Sequence, residues 1–140
     1  MQTPRTKILI VEDEPAVLDV CGATLRRRGF DCILTKNGVQ ALEVYRGRHE
    51  EIALVISDIA MPSMGGIELL RNVFEIYEHA SVIMMSGCHW SEIIPDHLGR
   101  LCSVLEKPFT PAMLIEAVEK CLLSAKTSYQ NDNSARPDNV

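Results

Sequence analysis

The sequence predicts an α/β domain with a parallel five-stranded sheet doubly wound by helices, and three observations carry that prediction. Short apolar runs alternate with helix-period segments five times along the chain, the pattern of a parallel sheet covered by helices. The runs at 7–11 and 53–57 are almost continuously apolar rather than alternating, as expected for strands buried on both faces. Both run directly into acids, Glu12 and Asp58, and a carboxylate at the mouth of a buried strand costs desolvation unless its charge is used.

The first strand, 7–11, precedes a helix with apolar positions Val17, Leu18, Cys21 and Leu25. Pro15 suits its first turn. Arg26, Arg27 and Arg28 set cations on the negative end of the helix dipole, and Gly29 offers a left-handed cap. The basic triplet therefore reads as a helix terminus rather than a nucleic-acid patch. A second strand, 32–35, leads through Asn37-Gly38 to a helix carrying Ala41, Leu42 and Tyr45. Asn-Gly also opens hairpins, but the helical period that follows selects a strand-to-helix turn. The third strand covers 53–57, and the third helix sets Ile67, Leu70, Phe74 and Tyr77 on one face. A fourth strand covers 82–85. Pro95 and Gly99 interrupt 88–100, so the fourth helix is expected to be short and irregular. The fifth strand covers 103–106. The last helix starts with Thr110 as N-cap and Pro111 at its first position, and buries Leu114, Val118 and Cys121. The segment 124–140 is polar and almost without large aliphatics, so disorder is expected there. The domain boundaries that follow are 5–124 for the folded unit and 125–140 for a tail.

At 140 residues, with 46% hydrophobic and 24% charged, the composition is that of one globular domain with a core of its own. A net charge of −5 gives no basic face for nucleic acid. No apolar run reaches membrane-spanning length and the N-terminal residues do not resemble a signal peptide, so a cytoplasmic location without membrane contact is expected. The five cysteines are widely spaced and lack a C-x-x-C pair, which predicts reduced, packed thiols rather than disulfides or zinc. The four histidines show no ligand-like spacing, so any metal is sought among the carboxylates.

Right-handed crossovers bring all the strand C-termini to one edge, outside which ligands of open α/β sheets bind. Strand one is followed there by Glu12, Asp13 and Glu14, strand three by Asp58, strand four by Ser86 and Gly87, and strand five by Lys107 and Pro108. Each has an ordinary structural explanation when taken alone, such as a turn, a helix N-terminus or a cap. Together they assemble clustered carboxylates that a hard cation such as Mg²⁺ would neutralise, a carboxylate able to act as nucleophile, and an ammonium and a hydroxyl suited to a phosphoryl group.

The motifs VEDE at 11–14, DIAMPSMGG at 58–66, MSG at 85–87 and EKPF at 106–109 resemble the receiver domain of bacterial two-component response regulators, over residues 7–123. The resemblance implies a flavodoxin-like sheet of strand order 2-1-3-4-5. It implies Asp58 as phosphoacceptor, with Asp13, Asp58 and the Ala60 backbone carbonyl ligating Mg²⁺ and Glu12 assisting through water. Ser86 would hydrogen-bond the phosphoryl group, Lys107 would pair with it across a cis Lys107-Pro108 bond, and Pro62 with Gly65-Gly66 would shape the loop beneath. The phosphodonor would be a sensor or hybrid histidine kinase, or a histidine phosphotransfer protein. A downstream protein of unknown identity would read the face of the fourth helix, fifth strand and fifth helix. The module would catalyse its own phosphorylation and would not turn over external substrates.

Two departures from the family pattern matter. Val104 stands where the family carries a switch aromatic, so switching is expected to use reordering at 87–91 instead. Ala60 and Cys88, at the two positions that tune phosphoryl lifetime, offer no strong group to orient an attacking water, which predicts a long-lived phosphoryl group. Trp90 is either a partner anchor or packed on its own domain. Three rival readings fit less well. A dehalogenase-type phosphohydrolase needs an acid at Ala60, a GTPase needs a phosphate loop that is absent, and a non-phosphorylated interaction domain would not need the whole acid, hydroxyl and lysine set. No output module follows in this sequence, which fits a stand-alone regulator, a phosphate shuttle or a receiver of a hybrid kinase.

Overall fold

Aliphatic runs form five strands: β1 (Lys7–Val11), β2 (Asp31–Thr35), β3 (Ile52–Asp58), β4 (Val82–Ser86) and β5 (Ser103–Glu106). They pair in parallel, in the order β2-β1-β3-β4-β5, as the sequence resemblance implied. The structure, a computed structural model, describes residues 4–87 and 101–134, without the side chains of 126–134. The expected fourth helix, together with Cys88, Trp90 and most of the proposed 87–91 switch segment, lies outside the described residues. The described helices are α1 (Pro15–Arg27), α2 (Gly38–Arg48), α3 (Gly66–Ile76) and α4 (Pro111–Ser134), with one 3₁₀ turn at His49–Glu51.

Successive strand residues point to opposite faces, and the sheet accordingly builds two cores. On one face Ile8, Ile10, Leu54, Ile56, Ile83 and Met85 pack beneath Leu18, Cys21 and Leu25 of α1 and Leu114, Val118 and Cys121 of α4. On the other, Leu9, Val11, Val55 and Met84 meet Ala41, Leu42 and Tyr45 of α2 and Leu69, Leu70 and Val73 of α3. Burial on both sides explains why the central strands are written as unbroken aliphatic runs.

Helix ends follow local chemistry. Pro15 opens α1. At its other end Gly29 adopts φ 93°, while the Gly29 and Phe30 amides donate to the Arg26 and Leu25 carbonyls at 3.0 Å each. These paired bonds are the Schellman closure that a left-handed residue permits. Asn37 caps α2, its Oδ1 accepting from the Gln40 amide at 2.7 Å, and Thr110 Oγ1 accepts from the Met113 amide at 3.2 Å at the start of α4.

The structure revises three expectations. The buried face of α3 is Leu69, Leu70 and Val73, with Ile67 and Phe74 only partly covered. Tyr77 lies beyond the helix, its amide closing on the Val73 carbonyl at 2.9 Å and its ring beneath the Arg5 guanidinium at 4.0 Å. Second, α4 runs ten residues past the expected domain boundary at 124, through Ser134. No glycine or proline interrupts 125–134, so nothing local stops a helix already nucleated on the sheet. Third, Cys102 and Cys121 form a disulfide with Cα atoms 5.7 Å apart, whereas Cys21 and Cys32 are buried free thiols as expected. The spacing of 19 residues carried no signal, because only the fold of α4 back over β5 brings the pair together. In the loop before α3, Gly65 and Gly66 lie outside the left-handed region, and the left-handed residue is Ser63, at φ 68°.

Candidate functional site

The ladder that makes the sheet also fixes the acids at its C-terminal edge. Glu12 follows β1 directly, and its amide donates to the Thr35 carbonyl at 3.2 Å, carrying the β1–β2 pairing one residue further. Thr35 Oγ1 is buried and donates to the Ile10 carbonyl at 2.9 Å, so β2 clamps the end of β1 twice. Asp58 ends β3 opposite Met85, and the following Ile59 amide donates to the Met85 carbonyl at 3.0 Å. Ser86 ends β4 one step further along. Its carbonyl accepts from the Lys107 amide at 2.7 Å, which sets the lysine beside β4 just after β5.

The loop from Ile59 to Gly65 passes over this edge and returns through a Gly66 amide to Ile59 carbonyl bond of 2.8 Å. Glycine at 66 is required by closeness rather than by backbone angle. A Cβ there would collide with the Asp58 carbonyl oxygen and would lie 2.7 Å from Met84 Cε and 2.8 Å from Ile59 Cα. Gly38 serves the loop in the same way from α2: a Cβ would sit 2.7 Å from the Met64 carbonyl oxygen. The Asn-Gly pair is thus a helix cap followed by a close packing position.

Three strands, β1, β3 and β5, bring the predicted charged groups together. Carboxylate oxygens of Glu12, Asp13 and Asp58 lie within 4.8 Å of one another. Lys107 Nζ lies 2.8 Å from Glu12 Oε1 and 3.3 Å from Asp58 Oδ2. Asp13 and Ala60 are exposed, whereas Asp58 and Ser86 are buried at the rim. The peptide bond between Lys107 and Pro108 is cis. Val104 is half-buried against the second core, in register with Met84.

The electrostatics are those of too many acids for one cation. Glu12 is fully buried; burial pushes its carboxyl up to about 7, Lys107 draws it back, and the Asp58 carboxylate raises it again. Burial alone would lower the Lys107 ammonium, but its contacts with Glu12 and Asp58 outweigh that and raise it. Glu12 Oε2 is buried with no hydrogen-bond partner among the described residues. An orphaned buried carboxylate oxygen beside two further acids is the donor set of a hard, oxygen-seeking cation, so the site fits Mg²⁺.

Sequence reasoning missed the supports of this edge: Thr35, which fixes Glu12, and the Gly38–Met64 and Gly66–Met84 approaches, which seat the loop over Asp58. Apolar–glycine closeness across three elements leaves no local pattern. Among the described residues no helix is long and apolar enough to cross a membrane.

The family model for the response regulator receiver domain matches residues 8–119. The response regulator receiver protein CpdR of Brucella abortus is 32% identical over 120 residues, which is 85% of this chain and 98% of that protein. Among solved structures, the receiver domain of the hybrid histidine kinase CckA is 32% identical with a TM-score of 0.72, covering 83% of this chain and 98% of that one. The CheX–CheY–BeF3–Mg²⁺ complex of Borrelia burgdorferi contains a chain 30% identical to this one, with a TM-score of 0.74 over 80% of this chain and 85% of its own.

Proposed function

The chain belongs to the response regulator receiver domain family, and from that membership we propose that it accepts a phosphoryl group from a histidine kinase phosphohistidine onto Asp58 and signals through protein contacts. Members of this family are signalling modules of two-component systems rather than turnover enzymes. The observation that carries the reading is the placement of Asp58, a rim carboxylate 3.3 Å from Lys107 Nζ and beside two more acids.

In the transfer, an Asp58 carboxylate oxygen bonds to phosphorus as the phosphorus–nitrogen bond to histidine breaks. The electrons of that bond return to the imidazole nitrogen, which leaves as the free base after taking up a proton. Lys107, already paired with Asp58 Oδ2, offsets negative charge on the incoming phosphoryl oxygens. Ser86, held at the end of β4, supplies a hydroxyl donor to one of them. Glu12, Asp13, Asp58 and the Ala60 carbonyl are the groups that would hold Mg²⁺, Glu12 through water. Bound Mg²⁺ would supply neutralisation of carboxylate and phosphoryl charge together.

A related receiver belongs to a hybrid histidine kinase and another occurs in complex with CheX, which supports a histidine kinase or phosphotransfer protein as donor and a protein as reader. With Val104 at the switch position, the readout rests on the segment after Ser86 rather than on a rotating ring. Ala60 is exposed and carries only a methyl group, which favours slow hydrolysis. Ala60→Asn combined with Cys88→Glu is expected to shorten the phosphoryl lifetime by roughly tenfold or more; an unchanged decay rate refutes this.

Intact mass after incubation with acetyl phosphate tests the main reading. One phosphoryl group should be added to the wild type with Mg²⁺, and none without Mg²⁺ or in Asp58→Asn. No addition under any condition, with a control receiver labelled in parallel, identifies a non-phosphorylated interaction domain instead.

A further inference from the structure

We propose that Cys102 and Cys121 are a reversible thiol–disulfide site that exchanges with small disulfides of the glutathione type through Cys102 and fastens α4 to the entry of β5. This inference is independent of chemistry at Asp58.

The fold itself presents the two sulfurs to each other. The Cys102 amide donates to the Val82 carbonyl at 2.9 Å, pinning that residue to the start of the β4–β5 ladder. Cys121 ends the stripe of Leu114, Val118 and Cys121 by which α4 is buried on the sheet. Neither anchor depends on a covalent link, and the resulting Cα separation of 5.7 Å lies in the range a disulfide spans without backbone movement. The thiols therefore remain opposed when reduced.

The pair is asymmetric. Cys102 is exposed, whereas Cys121 is 1% exposed, so a reagent from solution meets Cys102 alone. The free thiols Cys21 and Cys32 are buried, and burial holds both above the usual thiol range, Cys21 at about 11. Among the described cysteines, exchange is thus directed to one sulfur. Exposed disulfides are the labile kind.

The exchange balances as follows. The Cys102 thiolate attacks one sulfur of the small disulfide, forms a mixed disulfide and releases one small thiolate. Cys121 then loses its proton and attacks the Cys102 sulfur, expelling the second small thiolate. The protein dithiol gives up two electrons and two protons, and the small disulfide becomes two thiols. The ring so closed contains β5, Lys107 and the first turns of α4. Oxidation therefore restrains the backbone that carries Lys107.

The test uses the full chain, equilibrated with glutathione disulfide or with dithiothreitol, alkylated with N-ethylmaleimide and mapped without reduction. A linked Cys102–Cys121 peptide is expected in the first state, lost on reduction and regained on returning to glutathione disulfide. The melting temperature should be roughly 10 °C higher in the oxidised state, as a loop of this length implies, and Cys102→Ser should abolish the difference. Should that variant fail to fold, the comparison of the two states of the unmodified chain decides. The proposal is overturned by alkylation of both cysteines after the oxidant, by a stable glutathione adduct at Cys102 without ring closure, by a link to Cys88, or by equal melting temperatures.

Discussion

Asp13, Glu12 and Asp58 crowd their carboxylate oxygens within 4.8 Å around one ammonium, Lys107. Unit charges at that separation repel by several kcal/mol at the effective dielectric of a protein rim, before relaxation and screening reduce the sum. Removing one charge without changing shape should therefore stabilise the metal-free fold. Asp13→Asn is expected to raise the unfolding free energy by about 1 kcal/mol in chelator, measured by urea denaturation. Mg²⁺ should reverse the order, because only the intact acid set gains binding energy, about 2.7 kcal/mol at a hundred times the dissociation constant. Equal stability of the two proteins in both conditions would show that these acids neither repel nor share a cation. The four charged members of this site were legible because they cluster at or just past the ends of three strands, where an unused charge would be costly. Cys102 and Cys121 were not legible, since a thiol in a core and a thiol in a bridge look alike in sequence.

At the scale of elements, glycines separate two kinds of backbone demand. Gly66 opens α3 where a Cβ would strike the Asp58 carbonyl oxygen, Met84 and Ile59. Gly65, its neighbour, has φ −75° and only an ordinary 3.5 Å approach to the Ile59 carbonyl oxygen. Gly29 has open space around it but φ 93°. The three alanine variants should therefore differ in size and mechanism. Gly66→Ala is expected to cost about 3 kcal/mol by overpacking and to lower phosphoryl uptake, since backbone on both sides of the site must shift. Gly29→Ala should cost about 1 kcal/mol through left-handed strain, and Gly65→Ala should lie within about 0.5 kcal/mol of wild type. Equal effects at 65 and 66 in chemical denaturation would refute the close-approach account. The existence and type of all five strands and four of the helices could be read from periodicity, because two-sided burial writes itself into β1, β3 and β4 as unbroken aliphatics, whereas the strand order followed from the family resemblance. The face of α3 could not be, because Ile67, Leu69, Leu70, Val73 and Phe74 form an apolar arc wider than the strip that is fully buried. Only packing against α2 and the sheet selects among them.

For the molecule as a whole, sheet dimensions set how much of each helix is used. Strands of four to seven residues span roughly 13–23 Å at about 3.3 Å per residue, a distance that about 9–15 helical residues cover at 1.5 Å each. The buried stripe of α4 fits that measure, since Leu114, Val118 and Cys121 all fall within its first eleven residues. The helix nevertheless has 24 residues, about 36 Å, so its last turns extend past the sheet they started on. Composition misjudged these turns because polarity signals the absence of a core, not the absence of a helix, and a segment continuing from a docked helix needs no nucleus of its own. Their helicity should then be separable from the stability of the domain. A chain ending at Ala125 is expected to unfold cooperatively within about 0.5 kcal/mol of the full chain, with a far-ultraviolet circular dichroism loss confined to the removed turns. A drop of more than about 1 kcal/mol would mean that these turns pack on the domain, and a full-length helical signal no larger than that of the truncated chain would mean that α4 ends with its buried stripe.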